Sequence, residues 1–376
     1  MNRPKFGIGL IGCGGISRRH AESCKQLSED CVIRAVSDID LTQAKNRAET
    51  IGGDVALYQD YRDMLKRDDI DIAVICTPPF AHKEPAVHAL QAGKHVIVEK
   101  PMAGSLEECD EMIAAAQANN RKLAVVFQLR FQPEFNQIRE VLRSEQMGPV
   151  AYSQMNGYYW RGTNYYNKPW RGKFETECGG VTMNHSIHQL DLFLWLMDSQ
   201  PVSVRADMDT VRHHIEVEDS SMATIRFANG AVGQVNCSLN SVKTEHTMSF
   251  SGESSFAGYP FELKAVRQND SGFPETDEAG EAALQEIAAS AAPIGTGKHI
   301  DVYADMFRAI REDRQPMSHG LEGRRTLEVI TAIYKSASTG QAVELPIAKD
   351  DPWYTRQGIL NHVKRSPRAA AAPTVQ

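Results

Sequence analysis

Short, almost wholly apolar runs alternate with helix-length segments through the first third of this chain. The runs are Phe6–Ile11, Val32–Ser37, Ile72–Cys76, His95–Val98 and Leu123–Phe127, with a weaker one at Val55–Tyr58. A strand with one wet face alternates apolar and polar residues, whereas a parallel strand covered on both faces does not. Between the runs lie Leu41–Ile51, His82–Ala92 and Leu106–Ala118, and Gly93 suits the stop of the second helix. Strand–helix alternation of this kind predicts an α/β domain over residues 1–128, a Rossmann-like doubly wound parallel sheet with right-handed crossovers.

The first turn reads Gly12-Cys13-Gly14-Gly15-Ile16-Ser17, after a strand and opening a helix. Gly12 permits the tight turn and Gly14 lets the backbone approach a pyrophosphate, which then rests on the helix N-terminus. Small Ser17 takes the third position of the fingerprint. Asp38 closes the second strand, where an acid accepts hydrogen bonds from an adenosine ribose and repels a 2′-phosphate. With no arginine in Ile39-Asp40-Leu41, NAD is expected over NADP. A Rossmann fold that holds S-adenosylmethionine, or nothing, is the alternative at this point.

Two further segments fall at carboxyl ends of strands, where open α/β sheets bind ligands. Thr77-Pro78-Pro79 follows the third main run, and its competing reading is an ordinary proline loop. Glu99-Lys100-Pro101 follows the fourth. Proline pushes the residue before it out of the helical region, and X-Pro bonds can be cis, so Lys100 has little freedom. Its competing reading is a surface lysine in a turn.

After Phe127 the pattern changes. A helix at Pro133–Arg143 leads into strand-like segments at Val150–Trp160, Val202–Thr210, Ser220–Phe227, Ala231–Leu239 and Thr244–Gly252. Asn229-Gly230 marks a hairpin. These predict an α+β domain over 129–350 with a large, mostly antiparallel sheet. Residues 267–296 read as an excursion with a short helix, helices follow near 300–311 and 321–338, and a last strand lies at 342–345. An extension over 351–376 is expected to be partly mobile.

The stretch 179–191 reads as a helix with an apolar stripe of Met183, Ile187, Leu190, Leu194 and Met197. Asn184, His188 and Asp191 fall beside it on one narrow face. His188 suits proton chemistry, Asn184 a hydrogen bond to a substrate hydroxyl, and Asp191 could orient the imidazole. The alternatives are a structural histidine, or a metal held by His185, His188 and Asp191. Upstream, Tyr158-Tyr159-Trp160-Arg161, Tyr165-Tyr166 and Trp170-Arg171 concentrate aromatics and cations suited to a sugar ring. The other reading is a well-packed loop. Candidate substrate-binding residues are Arg130, Tyr158, Arg171, Asn184 and His188. Candidate cofactor-binding residues are Gly12, Gly14, Gly15, Ile16, Asp38, Thr77, Pro78, His82, Glu99 and Lys100. No metal is expected.

The net charge of −7 argues against nucleic-acid or anionic-membrane partners. No window has the length of a transmembrane helix. The seven cysteines are scattered without a CxxC pair, which suits reduced thiols in the cytoplasm.

Taken in order, Gly12–Ser17, Asp38, Thr77-Pro78-Pro79 with His82, Glu99-Lys100-Pro101, residues 179–191 and Glu344-Leu345-Pro346 resemble the Gfo/Idh/MocA family of NAD(P)-dependent oxidoreductases. The likeness spans nearly the whole chain. It implies a substrate that is a sugar, an inositol or a nucleotide sugar, and a homodimer or homotetramer formed through the open face of the C-terminal sheet. It also implies that Lys100 and His188 flank the substrate as catalytic residues. Many members carry aspartate four residues before that histidine. Asn184 stands there instead, and it cannot accept a proton, so the base falls to Lys100 or His188. A free lysine holds its proton to about pH 10.4; a positively charged nicotinamide and partial desolvation would lower that. Two alternatives stay open: a silent dinucleotide-binding regulator, and a redox-neutral enzyme that recycles a tightly held cofactor.

Overall fold

A computed structural model describes residues 5–371. The chain divides into two compact units. The first runs to Gln128 and takes in Lys298–Leu327; the second comprises Leu129–Gly297 and the residues from Glu328 on.

The first unit is built on β1 (Phe6–Ile11), β2 (Cys31–Ser37), β3 (Ala56–Tyr58), β4 (Ile72–Ile75), β5 (His95–Val98) and β6 (Leu123–Val125). Helices α1 (Ser17–Gln26), α2 (Leu41–Ile51), α3 (Tyr61–Leu65), α4 (Lys83–Gln91) and α5 (Leu106–Ala118) connect them. The sheet order is β3-β2-β1-β4-β5-β6 and every pair is parallel. This is the doubly wound order, with its switch point between β1 and β4. All four residues of β4 are buried, as an apolar strand covered on both faces requires.

Residues 298–327 were expected in the second domain, but they pack with the first. Phe307 of α11 (His299–Arg311) stacks on Phe6 at 4.8 Å. Farther on, Ser318 continues the sheet past β6: its carbonyl accepts the Val125 N–H at 2.8 Å and its hydroxyl donates to the Val125 carbonyl at 2.7 Å. The unpaired edge of β6 is satisfied by a segment far along the chain.

The second unit holds a nine-stranded sheet of β7 (Tyr152–Trp160), β8 (Pro201–Asp209), β9 (Ser220–Phe227), β10 (Val232–Ser238), β11 (Asn240–Ser251), β12 (Ser255–Tyr259), β13 (Glu262–Gln268), β14 (Pro274–Thr276) and β15 (Val343–Glu344). Its order is β14-β13-β12-β11-β7-β10-β9-β8-β15. Only the pairing of β7 with β10 is parallel among these strands. The Asn229-Gly230 hairpin forms, with the Asn229 side chain accepting the Ala231 N–H at 3.2 Å. The excursion expected over 267–296 contains its helix, α10 (Glu278–Ser290), and also β14 and the end of β13, with β12 before them.

The other helices are α6 (Pro133–Arg143), α7 (Phe174–Glu177), α8 (Val181–Asn184), α9 (Ile187–Met197), α12 (Gly320–Thr339) and α13 (Arg356–His362). Within the C-terminal extension, Trp353 is buried, Thr355 caps α13 through the Gly358 N–H, and Arg365 pairs with Glu216 at 2.7 Å. The part of the extension beyond residue 371, expected to be mobile, lies outside the described residues.

One histidine ties β5 to β6. His95 Nδ1 accepts the Lys122 N–H at 2.9 Å, so that nitrogen is unprotonated. Burial, helped by the Arg121 and Lys122 charges, lowers the ring's pKa to about 4. The unfolded chain therefore takes up this proton first as pH falls. The stabilisation is complete above pH 6.5 and is lost as pH drops through about 4. The thermal midpoint should fall across that window, and His95→Gln, which accepts without titrating, should flatten the slope. Identical slopes for the two proteins would refute the assignment.

Candidate active site

Strand ends bring the cofactor candidates of the first unit together. Gly12 has φ +92° after β1, and a Cβ there would press on the backbone of Cys76 and Thr77 at 2.8 Å. Both the left-handed conformation and this close approach require glycine. Gly14 and Gly15 are exposed and face open space, so a phosphate has room where side chains would otherwise stand. Ile16 is the N-cap of α1 and supplies no side-chain cap; the Ser17 N–H donates to the Gly14 carbonyl at 3.2 Å and the Arg19 N–H to the Ile16 carbonyl at 2.9 Å.

Asp38 spans the turn after β2. One carboxylate oxygen accepts the Cys13 N–H at 2.7 Å and the other accepts the Asp40 N–H at 2.9 Å. These bonds hold the carboxylate half-buried beside the glycine loop. Burial and then the Asp38 charge push the neighbouring Cys13 thiol up to about 12, so it stays protonated. Arg47 of α2 was not anticipated. It donates to Ser17 Oγ at 2.8 Å and to the Gly14 carbonyl at 3.2 Å, laying a cation on the phosphate loop. Looking for a basic residue only within 39–41 passes over it. The residues present fit a dinucleotide: a glycine cradle with open space at Gly14 and Gly15, a cation at Arg47 and a carboxylate at the end of β2.

Thr77 and Pro78 follow β4, and Thr77 Oγ1 donates to the Ala81 carbonyl at 2.9 Å. His82 and Glu99, expected on the cofactor, stand behind this edge with their polar atoms on protein partners. His82 is buried, with Nδ1 2.7 Å from the Pro101 carbonyl and Nε2 2.9 Å from the Thr77 carbonyl. Burial keeps its pKa low, so the neutral ring donates to one carbonyl at a time. The Glu99 carboxylate is 3.0 Å from His20 Nε2 and accepts the Lys100 N–H at 3.2 Å. Lys100 itself is half-buried, and the Lys100–Pro101 peptide is cis.

In the second unit the expected single helix is broken into α8 and α9 at His185-Ser186. All five residues of the apolar stripe are buried. Across 181–197, every residue is buried except Asn184 and His188. These two polar positions, four apart, are the segment's contact with the exterior. Asn184 Nδ2 donates to the Gly179 carbonyl at 2.6 Å and lies 3.1 Å from that of Glu177. Asp191 is not available to a metal: its carboxylate takes Arg130 Nε at 2.7 Å and Nη2 at 2.6 Å, with both side chains buried. Arg130, expected on the substrate, is therefore the anchor of α9. His185 lies between the rings of Tyr159 and Tyr165, each 5.4 Å away.

Strand parity corrects another expectation. Tyr158 lies on the sheet face of Asn156, to whose Oδ1 it donates at 3.2 Å. Tyr159 points the opposite way, with its hydroxyl 3.0 Å from the His185 carbonyl and 2.8 Å from Gln189 Oε1. Tyr159, not Tyr158, lines the α8–α9 side. Arg171 stays on that side, bonded to buried Glu177 at 2.7 Å and 3.9 Å above the Tyr165 ring.

Glu218 holds the start of α8. Its carboxylate accepts the Gly180 N–H at 2.9 Å, the Thr182 N–H at 3.0 Å and the Tyr334 O–H at 3.0 Å. A Cβ on Gly180 would overlap the Glu218 carbonyl. Burial pushes the Glu218 pKa up to about 7 against the pull of these donors.

Residues 6–127 match an oxidoreductase family model with an NAD-binding Rossmann fold, and residues 135–256 match the GFO/IDH/MocA C-terminal domain. The chain belongs to the Gfo/Idh/MocA family. It is an NAD(P)-dependent oxidoreductase acting on CH–OH groups. It is 26% identical to a myo-inositol 2-dehydrogenase of Thermotoga maritima over 62% of this chain and 69% of the relative. It is 24% identical to an inositol 2-dehydrogenase of Klebsiella pneumoniae over 93% and 99%. The WlbA dehydrogenase of Bordetella pertussis, solved with NADH and UDP-GlcNAcA, superposes with a TM-score of 0.78 at 28% identity, covering 92% of this chain and all (100%) of that one.

Replacing Glu218 by glutamine sets an amide N–H against one of the three donors. Glu218→Gln should lose about 1–3 kcal/mol in chemical denaturation, and Tyr334→Phe about 0.5–1.5 kcal/mol. Unchanged stability in both would mean that the carboxylate does not cap the helix.

Proposed function

We propose that this chain oxidises a secondary hydroxyl of a sugar or cyclitol with NAD, using Lys100 and His188. One observation carries the reading. A lysine, a phosphate-ready glycine loop and a ribose-ready aspartate share the carboxyl edge of one parallel sheet. NAD, when bound, supplies the acceptor for the hydride. Lys100 takes the hydroxyl proton during oxidation and returns it in the reverse direction. His188 and Asn184, the two accessible positions of their segment, hydrogen-bond the substrate's hydroxyls, with Arg171 and Tyr159 beside them. Cyclic polyols and sugar derivatives are favoured by the inositol dehydrogenases and the UDP-GlcNAcA complex among the relatives.

NAD is preferred over NADP because Asp38 places a negative charge where a 2′-phosphate would sit. We further infer assembly as a homodimer or homotetramer through the outer face of the nine-stranded sheet, where Met222 is 64% exposed in the single chain. A cytoplasmic location fits seven buried cysteines with no disulfide among the described residues. No helix among the described residues is long and apolar enough to cross a membrane.

Inositols, free aldoses and UDP-sugars offered with NAD should reveal a substrate through absorbance at about 340 nm. With that substrate, Lys100→Ala should lower kcat by about a hundredfold or more, while NADH affinity by fluorescence titration changes little. Normal turnover by this variant would end the lysine assignment. Asp38→Ala combined with Ile39→Arg should move the kcat/KM ratio towards NADP; an unmoved ratio would count against the ribose role.

A further inference from the structure

The first unit contains a buried polar cluster that neither the glycine loop nor the substrate residues explain. His20 lies on α1, Glu99 directly follows β5, and His299 and Tyr303 lie on α11. All four are buried. His20 Nε2 is 3.0 Å from Glu99 Oε1, and His299 Nε2 is 3.4 Å from the same oxygen. The Tyr303 hydroxyl is 2.9 Å from His20 Nδ1. The Lys100 N–H donates to Glu99 Oε2 at 3.2 Å.

The proton positions follow from chemistry. An ionised carboxylate only accepts, so both imidazoles present N–H to Glu99. Burial holds the His20 pKa low, so the ring is neutral and its Nδ1 accepts the Tyr303 O–H. Burial also opposes the charge on Glu99, yet the bonds from His20 and His299 hold its carboxyl well below the usual range. Of the other titratable groups facing the cluster, burial raises the Cys76 thiol and lowers His82, and beside Tyr303 the bond to Cys31 and burial raise the Cys24 thiol while that same bond lowers Cys31. The result is a fixed negative charge, one residue from the lysine that the proposed function makes the proton carrier.

We propose that Glu99 is a positioning residue for Lys100: its carboxylate anchors the lysine's backbone and makes the lysine's amine hold its proton more firmly. The inference rests on the reading of Lys100 as the proton-transfer group only for its catalytic consequence; the coupling itself is independent of turnover. Whatever rotamer Lys100 adopts, its amine stays within roughly 11 Å of the carboxylate, because the side chain spans only about 6 Å from its Cα. At an effective dielectric of about 20, one charge at that range moves an amine by about one pKa unit. The cluster also ties the glycine-loop helix, the lysine's loop and α11 to one another, so it fixes the peptide that carries the lysine.

The test is competitive trace acetylation of the cofactor-free protein across pH, with Lys100 quantified by mass spectrometry. Glu99→Gln should lower the apparent pKa of Lys100 by about half a unit or more. Tyr303→Phe keeps the carboxylate and should leave it in place. His299→Arg cancels the charge without removing it and should act in the same direction as Glu99→Gln; it also stands in if that variant does not fold. No shift in Glu99→Gln or His299→Arg overturns the proposal, as does an equal shift in Tyr303→Phe, which would mean lost packing. A stoichiometric transition metal found on His20, Glu99 and His299 by elemental analysis would overturn it as well. With a substrate in hand, the acid limb of the pH profile of kcat/KM should move to lower pH in Glu99→Gln. A labelling shift with an unmoved limb keeps the coupling and instead refutes Lys100 as the base.

Discussion

Every strand of the first sheet runs the same way, so the loops after β1, β2, β4 and β5 must emerge along one edge. That constraint gathers Gly12, Asp38, Thr77 and Lys100, which the sequence scatters over its first hundred residues. Neighbouring strand ends then shape one another. The phosphate loop turns where it does because the backbone after β4 leaves no volume for a side chain at Gly12. Asp38 is held by the Cys13 amide, so this carboxylate and the glycine loop form one hydrogen-bonded unit rather than two separate features. A ligand site at this edge follows from strand direction before any side chain is considered.

The second unit reaches its chemistry by a different route. Its candidate residues sit on a short, broken helical segment whose integrity depends on buried charges. Asp191 is held by Arg130, Arg171 by Glu177, and the start of α8 by Glu218. Taking one partner from a buried ion pair costs about 3–5 kcal/mol, a large share of the 5–15 kcal/mol that holds a typical domain together. Such pairs leave little freedom to the elements they join. Here they leave Asn184 and His188 as the two accessible positions in an otherwise buried run.

Legibility in the sequence varied with the range of the controlling interaction. The strands of the first sheet were readable because burial on both faces makes them uniformly apolar. The stripe from Met183 to Met197 was readable because helical periodicity is local. Strands β12 and β13 escaped notice, since Gly258 and the short turn at Tyr259-Pro260 interrupt any clear alternation. The break at His185-Ser186 was invisible because the helical spacing of Met183, Ile187 and Leu190 runs straight through it. Tyr158 and Tyr159 are equivalent as letters; only the packing of α8 and α9 decides which of the two faces them. Arg130, His82 and Glu99 looked like ligand contacts because polar residues near a site invite that reading, and each proved to satisfy another buried group.

What the sequence determined alone was the kind of each main element and the edge on which the cofactor chemistry would appear. Hydrophobic period, glycine placement and strand direction act between near neighbours or through topology, so they can be read without coordinates. Tertiary structure decided that residues 298–327 return to the first unit, that Arg47 lies on the phosphate loop, and that His20, His299 and Tyr303 surround Glu99. Those outcomes depend on buried polar groups finding partners from distant parts of the chain. Many sequence-distant donors and acceptors are compatible with the same local pattern, and only packing selects among them.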